Sequence, residues 1–103
     1  MPGHHILFWW DTEDFINPES DDALLLLLKE FHRRSIPAAF KMVGEKVRVL
    51  RRRNRTDILD LLRDDLFEIG YHTDTHSLHP TIAEYTEPLD GPQAVAEVLR
   101  RET

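Results

Sequence analysis

The residues best suited to chemistry lie in Glu68-Ile69-Gly70-Tyr71-His72-Thr73-Asp74-Thr75-His76-Ser77-Leu78-His79-Pro80, where three of the chain's six histidines fall within eight positions after a short apolar run. His72 and His76 stand at i and i+4. A chain that leaves a strand through one tight turn can aim both imidazoles at a single point, and neutral imidazole is the commonest protein metal ligand. Two imidazoles and one carboxylate leave open positions on zinc or another divalent ion, as a catalytic centre requires. The candidate carboxylates lie in Asp11-Thr12-Glu13-Asp14. An acidic run alone is equally well read as a solvated turn, and a single histidine as packed or merely exposed. Acids after one strand together with paired histidines after another favour a metal centre. His79, followed by Pro80, reads as a group beside the ligands or facing a substrate. His4, His5 and His32 read as structural or surface residues.

The elements that must position these groups follow from periodicity. Ile6 to Trp10 is a continuous apolar run and predicts a fully buried strand. Trp9 and Trp10 could stack on a sugar, but core packing is the stronger reading for both. Ser20 is the expected N-cap of a helix whose first turn carries Asp21 and Asp22. Leu24, Leu27, Leu28 and Phe31 mark its inner face, and Leu25 and Leu26 widen that face enough to predict cover on more than one side. Pro37 ends this segment. Ala38 to Val43 predicts a second buried strand closed by Gly44. Glu45 to Arg53 predicts a short helix with Val47 and Leu50 inward, and Thr56 caps another. Arg51-Arg52-Arg53-Asn54-Arg55 reads as a solvated connection between the two. Leu66 to Tyr71 predicts the third strand. Thr81-Ile82-Ala83-Glu84 has capping-box spacing, and Gly91-Pro92 opens a last helix with Val95, Val98 and Leu99 as its apolar face.

Strands alternating with helices predict an α/β fold: three β/α units of parallel sheet. Ligands of such sheets sit at the carboxyl ends of the strands, where both Asp11–Asp14 and His72 fall.

Composition narrows the function classes. The length suits one domain over residues 1–103. A formal net charge of −6 argues against a nucleic-acid partner. Without cysteine there is neither a disulfide nor a thiolate metal site. No stretch has the length and apolarity of a membrane span, and the N-terminal run lacks the features of a secretory signal. A cytoplasmic soluble protein is the expectation.

The segment Glu68-Ile69-Gly70-Tyr71-His72-Thr73-Asp74-Thr75-His76 resembles the His-[Ser/Thr]-x-x-His motif, preceded by Glu-Ile-Gly, of the polysaccharide deacetylase domain (NodB homology, carbohydrate esterase family 4). Ile36-Pro37-Ala38-Ala39-Phe40-Lys41-Met42-Val43-Gly44 is similar to the strand that precedes this motif in the family. The family's opening Thr-Phe-Asp-Asp-Gly motif is replaced by Asp11-Thr12-Glu13-Asp14-Phe15. A gapless overlay sets Glu13 on the family's catalytic base and Asp14 on its metal-ligating aspartate. An Asp-x-acid spacing instead makes Asp11 the base and Glu13 the ligand. The favoured assignment is Asp14, His72 and His76 as metal ligands, with Asp11 and Glu13 as rival bases.

The resemblance runs from about Ile6 onward and covers the first half of the family's domain, a distorted (β/α)7-8 barrel of the TIM type. It implies a metal-dependent hydrolase that removes N-acyl groups from an N-acetylated sugar or another small amide. The implied cofactor is a divalent ion, zinc first, with cobalt, nickel or manganese as alternatives. It also implies a backbone N–H near the end of the second strand to stabilise the oxyanion. The family's later arginine, aspartate and general-acid histidine have no counterpart here, and His79 is the residue to test as acid. This makes the chain a fragment or a truncated relative, expected to self-associate through exposed half-barrel faces. The alternative is a non-catalytic α/β module that binds only a metal or a partner.

Overall fold

The strand Ala38–Met42 alternates buried and half-buried residues along its length. Ala38, Phe40 and Met42 point into the core, while Ala39 and Lys41 point to the opposite face, as the two-residue period of a strand demands. This strand is the middle of the sheet. The computed structural model, which describes residues 3–103, has the order β1 (Trp9–Thr12), α1 (Pro18–Arg33), β2 (Ala38–Met42), α2 (Gly44–Arg52), α3 (Thr56–Leu62), β3 (Phe67–Tyr71), α4 (Ile82–Thr86) and α5 (Gly91–Glu102). The strands form a parallel sheet in the order β1-β2-β3, with Trp10 opposite Phe40 and Phe40 opposite Ile69. The expected α/β alternation and parallel sheet are therefore present.

The core lies between one face of the sheet and three helices. Leu24, Leu28 and Phe31 of α1, Leu50 of α2, and Ile58 and Leu62 of α3 pack on Ala38, Phe40, Met42 and Phe67. Phe40 and Phe67 meet edge to face with centroids 5.5 Å apart, and Trp10 meets Phe31 in the same way at 5.9 Å. The opposite face carries Trp9, Lys41 and Gly70. Lys41 Nζ lies 4.8 Å from the Trp9 ring centroid, and its stem runs so close to Gly70 that a Cβ there would meet Lys41 Cδ at 2.4 Å.

Several sequence expectations are corrected here. The run from Ile6 to Trp10 is not a fully buried strand. Its pairing begins at Trp9, Ile6 and Leu7 are exposed, and Trp9 is 65% exposed. The reason is position: β1 pairs only with β2, and helices cover only one of its faces. Trp9 is therefore not a core residue, whereas Trp10 packs on α1. Leu26 is exposed as well, so α1 is covered along one stripe. The apolar positions Val95 and Leu99 of α5 are exposed, and this helix buries no residue.

Helix boundaries also shift. Asn17, not Ser20, is the N-cap of α1, and Pro18 opens the first turn, where its missing N–H costs nothing. Arg55 rather than Thr56 precedes α3. Asp90 caps α5 in a reciprocal capping box with Gln93. The arginine run is solvent-exposed at Arg51, Arg52 and Asn54 and also makes ion pairs: Arg52 with Glu45, Arg53 with Asp21, and Arg55 with Asp22 and Asp57. No helix among the described residues is long and apolar enough to cross a membrane.

Candidate metal centre

Each group at the site leaves the carboxyl end of a strand. Glu13 follows β1 by one residue and His72 follows β3 by one residue. Because β1 and β3 flank β2 in parallel, their ends emerge at the same edge of the sheet. Glu13 Oε2 lies 3.2 Å from His72 Nε2 and 3.1 Å from His76 Nε2. The two imidazole rings stack with centroids 5.1 Å apart. One donor atom from each of the three residues lies within 4.8 Å of the others.

These donors suit a divalent ion. Two atoms each about 2.0–2.1 Å from a tetrahedral zinc stand about 3.4 Å from one another, so the separations of 3.1 and 3.2 Å need only a small expansion. Imidazole with carboxylate is a borderline donor set of the kind that takes zinc, cobalt, nickel or manganese. The far nitrogen of His76, Nδ1, lies 2.8 Å from Ser77 Oγ. Ligation through Nε2 would leave the proton on Nδ1 to donate to that hydroxyl and fix the ring, as outer partners of metal-bound histidines do.

Asp14 is not among the clustered donors. One carboxylate oxygen accepts the backbone N–H groups of Ile16 and Asn17 at 2.9 and 3.0 Å, and the other accepts the Asn17 side-chain amide at 3.1 Å. These bonds, chiefly those from Asn17, hold its carboxyl below the usual aspartate range. Asp14 thus closes the turn that leads into α1, and in the geometry Glu13 joins His72 and His76 where the favoured overlay had set Asp14. Asp11 lies two residues before Glu13, with its Oδ1 accepting the Trp9 indole N–H at 3.2 Å. His79 is engaged elsewhere, its Nδ1 lying 2.6 Å from Glu84 Oε1.

The loop that carries the histidines is held under conformational strain. Thr73 and His76 both adopt left-handed backbone conformations, with φ of 59° and 54°. A β-branched residue there is a steric outlier, and such positions persist only where surrounding contacts over-determine them. The contacts come from α2. Gly44 N–H donates to Thr73 O at 3.0 Å and Glu45 N–H to Asp74 O at 2.7 Å. Arg48 pairs with Asp74 at 2.9 Å. Within the loop, His76 N–H donates to Thr73 Oγ1 at 2.9 Å. The backbone donors expected to serve an oxyanion at the end of the second strand are engaged within the protein: Val43 N–H bonds Thr12 O of β1, and the next two bond Thr73 O and Asp74 O of the loop.

Behind the acidic turn lies a buried ion cluster that periodicity did not reveal. Asp21 and Lys46 are each 1% exposed. Lys46 Nζ donates to Asp21 Oδ1 at 2.6 Å and to Ser20 Oγ at 2.8 Å, and Arg53 donates to Asp21 Oδ2 at 2.9 Å. Ser20 Oγ in turn donates to Asp14 O and Asn17 O. Burial opposes the charge on Asp21, but the bonds from Lys46 and Arg53 outweigh it and hold the carboxyl below its usual range. The cluster ties α1 to α2 beneath the segment that presents Glu13. The signal for it in sequence was an acid in the first turn of one helix and a lysine in the first turn of another, both at positions that face inward.

Comparison of the chain with protein-family models, with curated proteins and with solved structures finds no match in any of the three.

Proposed function

We propose that Glu13, His72 and His76 hold a divalent metal, zinc first, in a hydrolase that removes N-acyl groups from an amino sugar or another small amide. The observation that carries this reading is the convergence of one carboxylate oxygen and two imidazole nitrogens within 4.8 Å at the carboxyl edge of the sheet. The resemblance of the histidine segment to the polysaccharide deacetylase motif supplies the reaction class. The three β/α units suit the opening part of a (β/α) barrel, whose wall has helices on one face only, and the uncovered face bearing Trp9 and Lys41 supports that reading.

A divalent ion bound there would supply Lewis acidity to an acyl carbonyl and acidify a water molecule. Asp11 is the base in this reading, because Glu13 is taken up by the histidines and Asp14 by its turn. The Trp9 indole N–H holds the Asp11 carboxylate from one side. Asp11 takes the proton of the attacking water as oxygen bonds to the carbonyl carbon. The carbon–nitrogen bond then breaks, and the proton passes to the departing amine. The exposed Trp9 ring offers a flat apolar surface beside Asp11, which favours a sugar over a linear amide.

The test is metal uptake and deacetylation, measured on wild type and on a His72→Ala, His76→Ala double variant, with N-acetylglucosamine oligomers and an aryl acetate as substrates. Wild type binds one equivalent and turns over, and the variant does neither. Equal uptake by both proteins removes the proposal. Uptake by wild type without hydrolysis of either substrate leaves the non-catalytic metal-binding module.

A further inference from the structure

The strained segment between the two histidines is held from two sides, and the second side is the last helix. Glu102 Oε2 accepts the Asp74 backbone N–H at 2.8 Å and the Tyr71 hydroxyl at 2.7 Å. Tyr71 is the final residue of β3, immediately before His72. A single carboxylate oxygen at the end of α5 thus bridges the strand that delivers His72 and the loop that turns towards His76. On the other side, α2 binds the Thr73 and Asp74 carbonyls through Gly44 and Glu45, and the Asp74 side chain through Arg48. Asp74 therefore has its N–H, its C=O and its carboxylate all engaged, by three different residues.

Apart from its contact with α4, where the Arg101 guanidinium lies 4.4 Å from the Tyr85 ring centroid, the attachment of α5 is slight. The helix buries no residue, and Val95 and Leu99 remain exposed. Little apolar burial holds it in place, so the Glu102 contacts carry a large share of its docking. A contact that orders the histidine loop and also docks a weakly held helix couples the two events. Whatever stabilises one must stabilise the other by the same free energy.

We propose that Glu102 is a positioning residue for the His72–His76 pair, and that docking of α5 is linked to metal binding at Glu13, His72 and His76. The linkage rests on the metal-centre reading above, whereas the clamp on Asp74 does not. Glu102 touches neither imidazole and acts through Tyr71 and Asp74.

The experiment uses the full chain as wild type, Glu102→Ala, Glu102→Gln and, as a control on the same helix, Glu97→Ala. Glu97 pairs with Arg100 and Arg101 of its own helix. Amide hydrogen exchange of Asp74 is followed by NMR without metal, and Co2+ binding by its visible absorption. In Glu102→Ala the Asp74 amide loses its protection, and the Co2+ dissociation constant rises by about 5–150-fold, the usual range of a coupling free energy between linked sites. Glu102→Gln, whose neutral oxygen still accepts, falls between. Glu97→Ala matches wild type in both measurements. In wild type, Co2+ slows exchange of the α5 amides.

Unchanged Asp74 protection in Glu102→Ala overturns the clamp. Lost protection with wild-type Co2+ affinity overturns the linkage. Lost protection in a chain whose wild type takes up no Co2+ upholds the clamp and sinks the metal-centre reading, so the two failures are distinct.

Discussion

Gly44 and Asp74 sit so close that a Cβ on Gly44 would lie 2.5 Å from Asp74 Oδ1 and 3.2 Å from its carbonyl oxygen. This contact brings the first turn of α2 against the loop between His72 and His76, and it shows why glycine stands at the end of the second strand. Gly44 has an ordinary helical role otherwise, and replacing glycine by alanine inside a helix is normally favourable by about 1 kcal/mol. Here the sign is reversed. Asp74 cannot swing clear, because Arg48 and the backbone bonds to Thr73 and Asp74 fix it. Gly44→Ala is expected to destabilise by about 1–3 kcal/mol and to weaken metal uptake. Urea unfolding and Co2+ titration check this, and a stabilised variant would refute the contact.

Glu13 and Asp14 are adjacent acids with different work, and substitution separates them. Glu13→Gln is expected to abolish tight metal binding with little effect on stability, since the side chain is exposed and bonded only to the two histidines. Asp14→Ala should retain the metal and lose about 1 kcal/mol, the usual cost of deleting a side chain that caps backbone donors at a helix entry. Isothermal titration with Zn2+ alongside thermal melting distinguishes the pair. The reverse pattern would restore Asp14 as the ligand.

Asp11 is expected to act on turnover alone. Asp11→Asn should keep metal affinity and lower kcat by about 10²–10⁴-fold, the range for a lost general base. Trp9→Phe removes the indole N–H that Asp11 accepts but keeps an apolar surface, so a smaller fall is expected. A variant Asp11→Asn with full activity would move the base role elsewhere.

The buried ion cluster makes a prediction about acid. The folded-state pKa of Asp21 is lowered from 3.8, so its contribution to stability is complete above that value and is lost as pH falls through the lower folded value. Asp21→Ala, which strands Lys46 in the core, is expected to cost about 3–5 kcal/mol at neutral pH. The gap between the variant and wild type should narrow as pH drops below 3.8 and through the lower folded value. Guanidinium unfolding across that range measures it, and a constant gap would contradict the assignment.

Local pattern was enough to read the element order and the parallel sheet. These rest on short-range causes: the two-residue period of Ala38–Met42 and the Thr81 cap before α4. Tertiary structure decided which acid meets the histidines. Asp11, Glu13 and Asp14 are equivalent in composition and nearly so in position, and the choice depends on where the Asn17 and Ile16 amides draw one carboxylate and how the end of β1 aligns with β3 across β2. It also decided the exposure of Trp9, because an apolar run does not reveal which of its faces finds a partner. The burial of Lys46 against Asp21 and the reach of Glu102 to Asp74 likewise needed the folded chain, since each joins residues whose proximity depends on the packing of whole helices.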